Sequence, residues 1–233
     1  MTTAGTLLVL LLCAGAAGQS PLPRGEEVLD RLAAGFEGIE DYTVSMDVVA
    51  DIDRLKVPPM KVTMYWKRPD RVHFDAEGFA LLPREGVALN PETLRTRFTP
   101  TAVSRDTLDG REVLRVTLKP KSDRTGLREF FLDVDPSRWT PERMVTPLFD
   151  GRTMTATLTH GRVEGRWLPS ALVVRFTSTV VDTAVEGPAE AATPAVRPAT
   201  PRRGTVTVRY SGYRLNGGLS DDLFREEERP DRK

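Results

Sequence analysis

Residues 60–83 read MKVTMYWKRPDRVHFDAEGFALLP, and the alternation within them decides the fold. A turn at Arg68-Pro69-Asp70 divides the stretch into two halves. The alternating apolar positions are Met60, Val62, Met64 and Trp66 in the first half, and Val72, Phe74 and Ala76 in the second. Strict alternation is typical of a strand with one apolar and one polar face. The stretch therefore predicts two strands whose apolar faces lie on the same side.

The same period recurs along most of the chain. A long first run places Tyr42, Val44, Met46, Val48, Ala50 and Ile52 on one face. Five later segments alternate in the same way: 114–118, 130–134, 154–158, 172–176 and 206–210. Short turns such as KRPD and LDG separate strands. We therefore expect an antiparallel meander.

One amphipathic helix precedes the strands. The segment PLPRGEEVLDRLAAGFEGIEDY, residues 21–42, has apolar residues at helical spacing: Val28, Leu29, Leu32, Phe36 and Ile39. Gly35 and Gly38 mark its expected end.

The predicted sheet has more apolar surface than this helix can cover. About ten strands spaced roughly 4.8 Å apart span nearly 50 Å, whereas a helix is about 10–12 Å across. The sheet must therefore curl into a half-barrel or pack against a second sheet. Large, pliable side chains favour the half-barrel, because they leave irregular space for a flexible guest: Met46, Met60, Met64, Trp66, Phe74 and Phe176.

Several segments in this order resemble the family of periplasmic outer-membrane lipoprotein carriers (LolA) and their relatives. The resembling segments are YTVSMDVVADI, MYWKRPDRVHFDAEGFALLP, LDGREVLRVTLKP, FFLDVDPSRWTPERMVTPLFDGRTMTATL, GRWLPSALVVRF and YRLNGGLSDDLF. The resemblance implies an α+β, mainly β fold: an incomplete antiparallel β-barrel, which is a strongly curved sheet, with a helical lid over a hydrophobic cavity for acyl chains.

The resemblance also implies which residues meet the guest. Leu32 and Phe36 would lie on the lid, and NPETLRTRF, residues 90–98, is the candidate for a second lid segment. The cavity would be lined by Tyr42, Val44, Met46, Val48, Met60, Val62, Met64, Trp66, Val72, Phe74, Val116, Leu118, Phe130, Leu132, Leu158, Val174, Phe176 and Val208. No arginine of this chain can be matched to the family's lid-gating arginine.

The domain organisation follows from composition. Residues 1–18 have the layout of a secretory signal peptide, and we expect cleavage after Gly18 and a periplasmic protein. Residues 19–224 form the predicted lipid-binding domain, with an Ala/Pro-rich flexible insertion at 184–204 and a charged, disordered tail at 225–233. Lipoprotein anchoring through Cys13 is the less favoured alternative, because Leu12 rather than a small residue precedes it.

Composition and motifs argue against nucleic-acid binding, catalysis and a metal site. The formal net charge is zero, so no basic field points to nucleic acid. Cys13 is the only cysteine, and His73 and His160 are expected on exposed strand positions. Asp133 and Asp135 could mimic paired catalytic carboxylates but are expected as solvent-facing residues at a strand end. We therefore expect no enzyme, no metal and no cofactor.

Two functions remain open. The first is a monomeric periplasmic carrier that shields the acyl chains of a lipoprotein or lipid, receiving them from an inner-membrane donor and passing them to an outer-membrane acceptor. The second is a lipid- or peptide-sensing regulatory module of the RseB type that binds a membrane partner. Such regulators usually have an additional C-terminal domain, and little chain follows Tyr213, which favours the carrier.

Overall fold

The computed structural model describes residues 21–53, 56–75, 91–122, 129–147, 152–178 and 203–225. Ten strands form one antiparallel sheet in the order β3-β2-β1-β10-β9-β8-β7-β6-β5-β4. The strands are β1 (Asp41–Ile52), β2 (Met60–Lys67), β3 (Arg71–Asp75), β4 (Phe98–Leu108), β5 (Arg111–Pro120), β6 (Phe130–Asp135), β7 (Thr140–Pro147), β8 (Arg152–Val163), β9 (Arg166–Ser178) and β10 (Arg203–Leu215).

The sheet is an incomplete barrel. Its edge strands are β3 and β4, and the described residues show no pairing between them. The predicted fold class is confirmed, and the alternative of two stacked sheets is wrong because all ten strands belong to one sheet. The two strands predicted from residues 60–83 are β2 and β3, and Met64 pairs with Phe74 as their alternation requires.

Two short helices accompany the sheet. The first, α1 (Gly25–Ala34), has Glu26 and Glu27 in its first turn, where carboxylates favour the positive end of the helix dipole. It is shorter than the predicted segment 21–42 because turns begin at Gly35, and Gly38 has a positive φ of 75°. The second, α2 (Pro91–Arg97), lies within the predicted lid segment 90–98. Neither helix, nor any other within the described ranges, is long and apolar enough to span a bilayer.

The apolar residues form two core clusters. The first cluster lies over β1, β2 and β8–β10 and includes Phe36, Ile39 and Trp66. The second lies over β4–β6 and includes Leu32 of α1 and Leu94 of α2. Met144 of β7 contacts both clusters. The α1 segment therefore contributes to both halves of the inner face, since Leu32 enters one cluster and Phe36 the other.

A C-terminal strap, residues 216–225, ties the sheet to the end of the α1 segment. The buried carboxylate of Asp41 accepts hydrogen bonds from the backbone N–H groups of Gly218 and Leu219, at 3.0 and 3.1 Å from Oδ2. Lys67 donates to the carbonyl of Leu219 at 2.6 Å. The strap ends in a 3₁₀ turn, Asp221–Phe224, whose Phe224 is buried under the guanidinium of Arg71.

Three parts of the predicted organisation fall wholly or mostly outside the described residues. These are the signal peptide 1–18, the insertion 184–204 and the tail 225–233. Of the insertion, only Arg203 and Gly204 are described, and they belong to β10 rather than to a loop. Cys13 and Ala76 also lie outside the described residues.

The structure corrects the expected exposure of the polar residues. Asp133 is fully buried and Asp135 is 8% exposed, and β6 lies inside the sheet between β5 and β7. Arg115 and Arg143 cover Asp133 with hydrogen bonds of 2.8 and 2.7 Å, which is why a polar face of the strand is shielded from solvent. The side chain of His160 is 2% exposed, because it lies two residues after the buried Leu158 and therefore on the same face of β8. His73 is half-buried beside Tyr65.

Candidate ligand-binding site

The inner face of the sheet holds most of the predicted lining residues. Of these residues, Met60, Val72, Phe74 and Phe176 are partly exposed, and all the others are buried. They do not form one group. Leu32, Val116, Leu118, Phe130 and Leu132 belong to the second cluster, and the remainder belong to the first or pack against it.

The partly exposed apolar residues include a row at one end of the inner face. Ile52 pairs with Gly204, Gly204 with Phe176, and Phe176 with Met154. The Phe176 ring lies directly over Gly204, where an added Cβ would be 2.3 Å from Cζ of the ring. This row therefore depends on a glycine that leaves room for an aromatic side chain.

The opposite end of the first cluster is aromatic. The rings of Tyr42 and Trp66 stack with centroids 5.2 Å apart and planes inclined by 22°. Tyr213 lies 5.8 Å from Tyr42 and donates its hydroxyl to the carbonyl of Pro169 at 2.8 Å. Burial raises the pKa of the Tyr42 and Tyr213 phenols above the ordinary value, so both remain protonated at neutral pH.

Arg68 joins the helices to the turn between β2 and β3. Its guanidinium donates to the carbonyls of Phe36 and Ile39 at 3.2 and 3.3 Å and forms an ion pair with Glu92 of α2. The two carbonyls belong to the turns that follow α1, and the Phe36 carbonyl also accepts from the backbone N–H of Ile39 at 3.1 Å. One side chain thus holds the end of the α1 segment, α2 and a strand turn together.

A polar cleft of about 240 Å³ lies beside this junction. It is lined by Asp30, Ala33, Ala34, Glu37, Arg68, Glu92 and Arg95. An ion pair between Arg95 and Asp30, 3.0 Å long, bridges α2 and α1 across it. The cleft therefore lies between the two helices and not on the apolar inner face.

A buried polar cluster lies where β6, β7 and β8 approach one another. Glu142 accepts from Thr140 at 2.9 Å and from Arg138 at 3.2 Å, and Nδ1 of His160 lies 3.7 Å from its Oε1. Burial and the nearby Arg138 charge lower the pKa of His160 to about 4, so its imidazole is neutral at pH 7.

Asp135 belongs to the same polar cluster. Burial alone would raise its pKa, but hydrogen bonds from Ser137 and Arg138 outweigh this effect and lower the pKa to about 2. Within the described ranges, no three His, Cys, Asp or Glu side chains converge in a way that could hold a metal ion. Arg138 pairs with both Asp135 and Glu142, and the neutral His160 lies beside this ionic network.

Some residues of the site were not predicted from the sequence. Arg68 was placed in a turn with no further role, because its partners Phe36 and Ile39 are distant in the sequence and meet it only in the folded chain. Tyr213 and Met144 were not singled out. Met144 lies in a strand whose other inward side chains are polar, so its segment lacks an apolar period.

Comparison with solved structures shows a LolA-like fold. A DUF1329 family protein from Desulfovibrio piger matches with a TM-score of 0.61 and 14% identity, covering 88% of this chain and 97% of that one. The LolA superfamily protein NE2245 from Nitrosomonas europaea matches with a TM-score of 0.55 and 10% identity, covering 87% and 98%.

A third structure, described as an outer membrane lipoprotein-sorting protein domain, comes from Vibrio parahaemolyticus. It matches with a TM-score of 0.57 and 13% identity, covering 88% of this chain and 97% of that one. No protein-family model and no curated protein matches the sequence. At these identities the likeness shows the fold, and the predicted LolA-like architecture is confirmed.

Proposed function

We propose that this protein is a non-enzymatic periplasmic carrier that shields the acyl chains of a lipoprotein or lipid against the inner face of its sheet. The single observation that carries the proposal is the open ten-stranded sheet, whose inner face is apolar along β1, β2 and β8–β10. Burying a methylene on such a face contributes about 0.8 kcal/mol, so a long chain can be held without a polar anchor.

The α1 segment covers part of the inner face on which we propose that the guest binds. Leu32 and Phe36 occupy the two clusters from the α1 side, and the buried Met46 and Met64 belong to the same cluster as Phe36. Methionine side chains rearrange readily because they are unbranched. We infer that a guest takes the place of Leu32 and Phe36 while α1 moves outward from the sheet.

The proposal extends to location and partners. Export through the signal peptide at 1–18 would place the protein in the periplasm, between an inner-membrane donor and an outer-membrane acceptor. Release needs such an acceptor, because a ligand shifts a conformational equilibrium only through its differential affinity for the two states. The proposed partner therefore binds the open state.

A charge on the inner face tests the proposal. Phe74 is only partly buried, so we expect Phe74→Glu to fold. Its carboxylate would face the acyl chain, and binding of a fluorescent acyl probe should weaken at least tenfold. Val49→Glu is the matched control, because Val49 is 51% exposed. If folded Phe74→Glu protein binds the probe as the wild type does, the proposed binding face is wrong.

A further inference from the structure

The side chain of Trp66 is buried with an unused hydrogen-bond donor. The residue is 1% exposed, and among the residues that the structure describes no acceptor lies within hydrogen-bonding distance of Nε1. An indole N–H can only donate, and buried donors in proteins are nearly always paired. The position therefore requires an acceptor that these residues do not supply.

The neighbours of Trp66 are poorly suited to supply that acceptor. Tyr42 covers the indole with its ring face, and its Cα pairs with that of Trp66 across β1 and β2. On the other side Trp66 pairs with Val72 of β3, which is aliphatic.

The other two tryptophans have different surroundings. The guanidinium of Arg31 lies over the Trp139 ring at 4.6 Å, and those of Arg138 and Arg162 lie over the Trp167 ring, each at 5.2 Å. Neither has a buried indole nitrogen without a partner among the described residues. Within this part of the chain, Trp66 is therefore distinct among the three, and it lies on the proposed binding face.

We propose that the indole N–H of Trp66 donates to the carbonyl oxygen of an acyl ester or amide, and so fixes the head of the acyl chain at the Tyr42 end of the inner face. This inference rests on the proposed function. Every ester- or amide-linked acyl chain has such a carbonyl acceptor, directly attached to its hydrocarbon part. The chain then runs along β1 from Tyr42 toward Ile52, a distance of roughly 33 Å at about 3.3 Å per residue.

Two fluorescent probes that differ only in this carbonyl test the inference. One arylamine nitrogen of the same fluorophore carries a sixteen-carbon chain through an N-alkyl link in one probe and through an N-acyl link in the other, so that both links are uncharged at neutral pH. Trp66→Phe retains an aromatic ring but removes the donor. We expect it to weaken binding of the N-acyl probe about 3–10-fold and to change binding of the N-alkyl probe less than twofold. Trp167→Phe, at an arginine-stacked tryptophan, is the matched control and should affect neither probe.

The indole resonances of the wild-type protein give a second readout that needs no variant. The Nε1–H signal of Trp66 should move downfield when the N-acyl probe binds and should stay in place with the N-alkyl probe. If both probes bind while this signal is unaffected by either, or if Trp66→Phe weakens both equally, the inference is overturned and the carrier function stands. If neither probe binds the wild-type protein, the carrier function itself fails.

Discussion

Arg68 and Glu92 form an ion pair that joins the turn between β2 and β3 to α2, while the same guanidinium donates to the carbonyls of Phe36 and Ile39. The Arg68 and Glu92 side chains are 30% and 23% exposed, so their pair is partly shielded from solvent. One basic side chain of the turn between β2 and β3 therefore contacts both the α1 segment and α2.

Removing the Arg68 side chain should weaken the attachment of the α1 segment to the rest of the fold. Arg68→Ala removes the hydrogen bonds to the Phe36 and Ile39 carbonyls and the ion pair with Glu92, and we expect a loss of about 1–3 kcal/mol in the free energy of unfolding. Hydrogen exchange of the α1 amides should accelerate more than that of β1. The control is Arg97→Ala, whose ion pair with Asp70 is exposed and 3.4 Å long, and which should cost less than about 1 kcal/mol. Equal effects of the two variants on α1 exchange would contradict this role of Arg68.

The buried carboxylate of Asp133 should be important for stability. Both its oxygens accept hydrogen bonds from Arg115, and Oδ2 also accepts from Arg143. Asp133→Asn leaves two guanidinium groups facing a neutral side chain, and we expect a loss of about 3–5 kcal/mol in urea unfolding. Asp106→Asn removes a more exposed partner of Arg115 and should cost about 1 kcal/mol or less. A loss below about 1 kcal/mol at Asp133 would show that the network contributes little.

The stability of the protein should fall between pH 6.5 and pH 4. In the folded state His160 has a pKa of about 4, so the unfolded chain binds its proton first as the pH falls, and unfolding becomes easier through this window. The full effect is about 3 kcal/mol, at about 1.4 kcal/mol per pH unit. Asp135, with a pKa of about 2, adds a second loss below pH 3.8.

The His160→Phe variant separates the contribution of His160 to this pH dependence from those of other groups. It should flatten the dependence of the urea midpoint on pH between 6.5 and 4, whereas His73→Gln should retain it. An unchanged slope in His160→Phe would assign the effect to other groups.

Gly204 and Phe176 should be energetically coupled. Gly204→Ala places a Cβ against the Phe176 ring and should destabilise the protein by about 1–3 kcal/mol. In Phe176→Leu the ring is absent, so Gly204→Ala should lower the free energy of unfolding clearly less in this background. A double-mutant cycle measures the difference. Gly161→Ala is the control, because its added Cβ would be an ordinary 3.6 Å from Ser170. Additive effects at positions 204 and 176 would contradict the contact.

The strands with alternating apolar residues could be predicted from the sequence, and those without could not. The alternation in residues 42–52 and 60–74 corresponds to β1, β2 and β3, and in β1 and β2 one face is buried. In β4 most residues are exposed because it is an edge strand, so it has no apolar period. In β7 the buried residues include Thr140, Glu142 and Thr146, which a hydrophobic pattern does not detect.

The polar cluster could not be predicted, because hydrophobic periodicity does not show which polar side chains contact one another. His160 lies beside Glu142 of β7, and arginines from two neighbouring strands cover Asp133. The role of Arg68 arises from the position of α1 and α2, which only the folded chain defines. The membership of the lining residues in two clusters was likewise beyond prediction, since strand alternation gives the face of a residue but not its neighbours along the sheet.

The central claim is that the inner face holds an acyl chain, and non-denaturing mass spectrometry of the protein purified from its native envelope tests it most directly. We predict a population whose mass exceeds that of the polypeptide by one acyl-bearing lipid or acylated protein. This population should be lost in Phe74→Glu and retained in Val49→Glu. A wild-type protein that carries no acyl chain under these conditions, or one that instead copurifies with a stable signalling partner, would contradict the account.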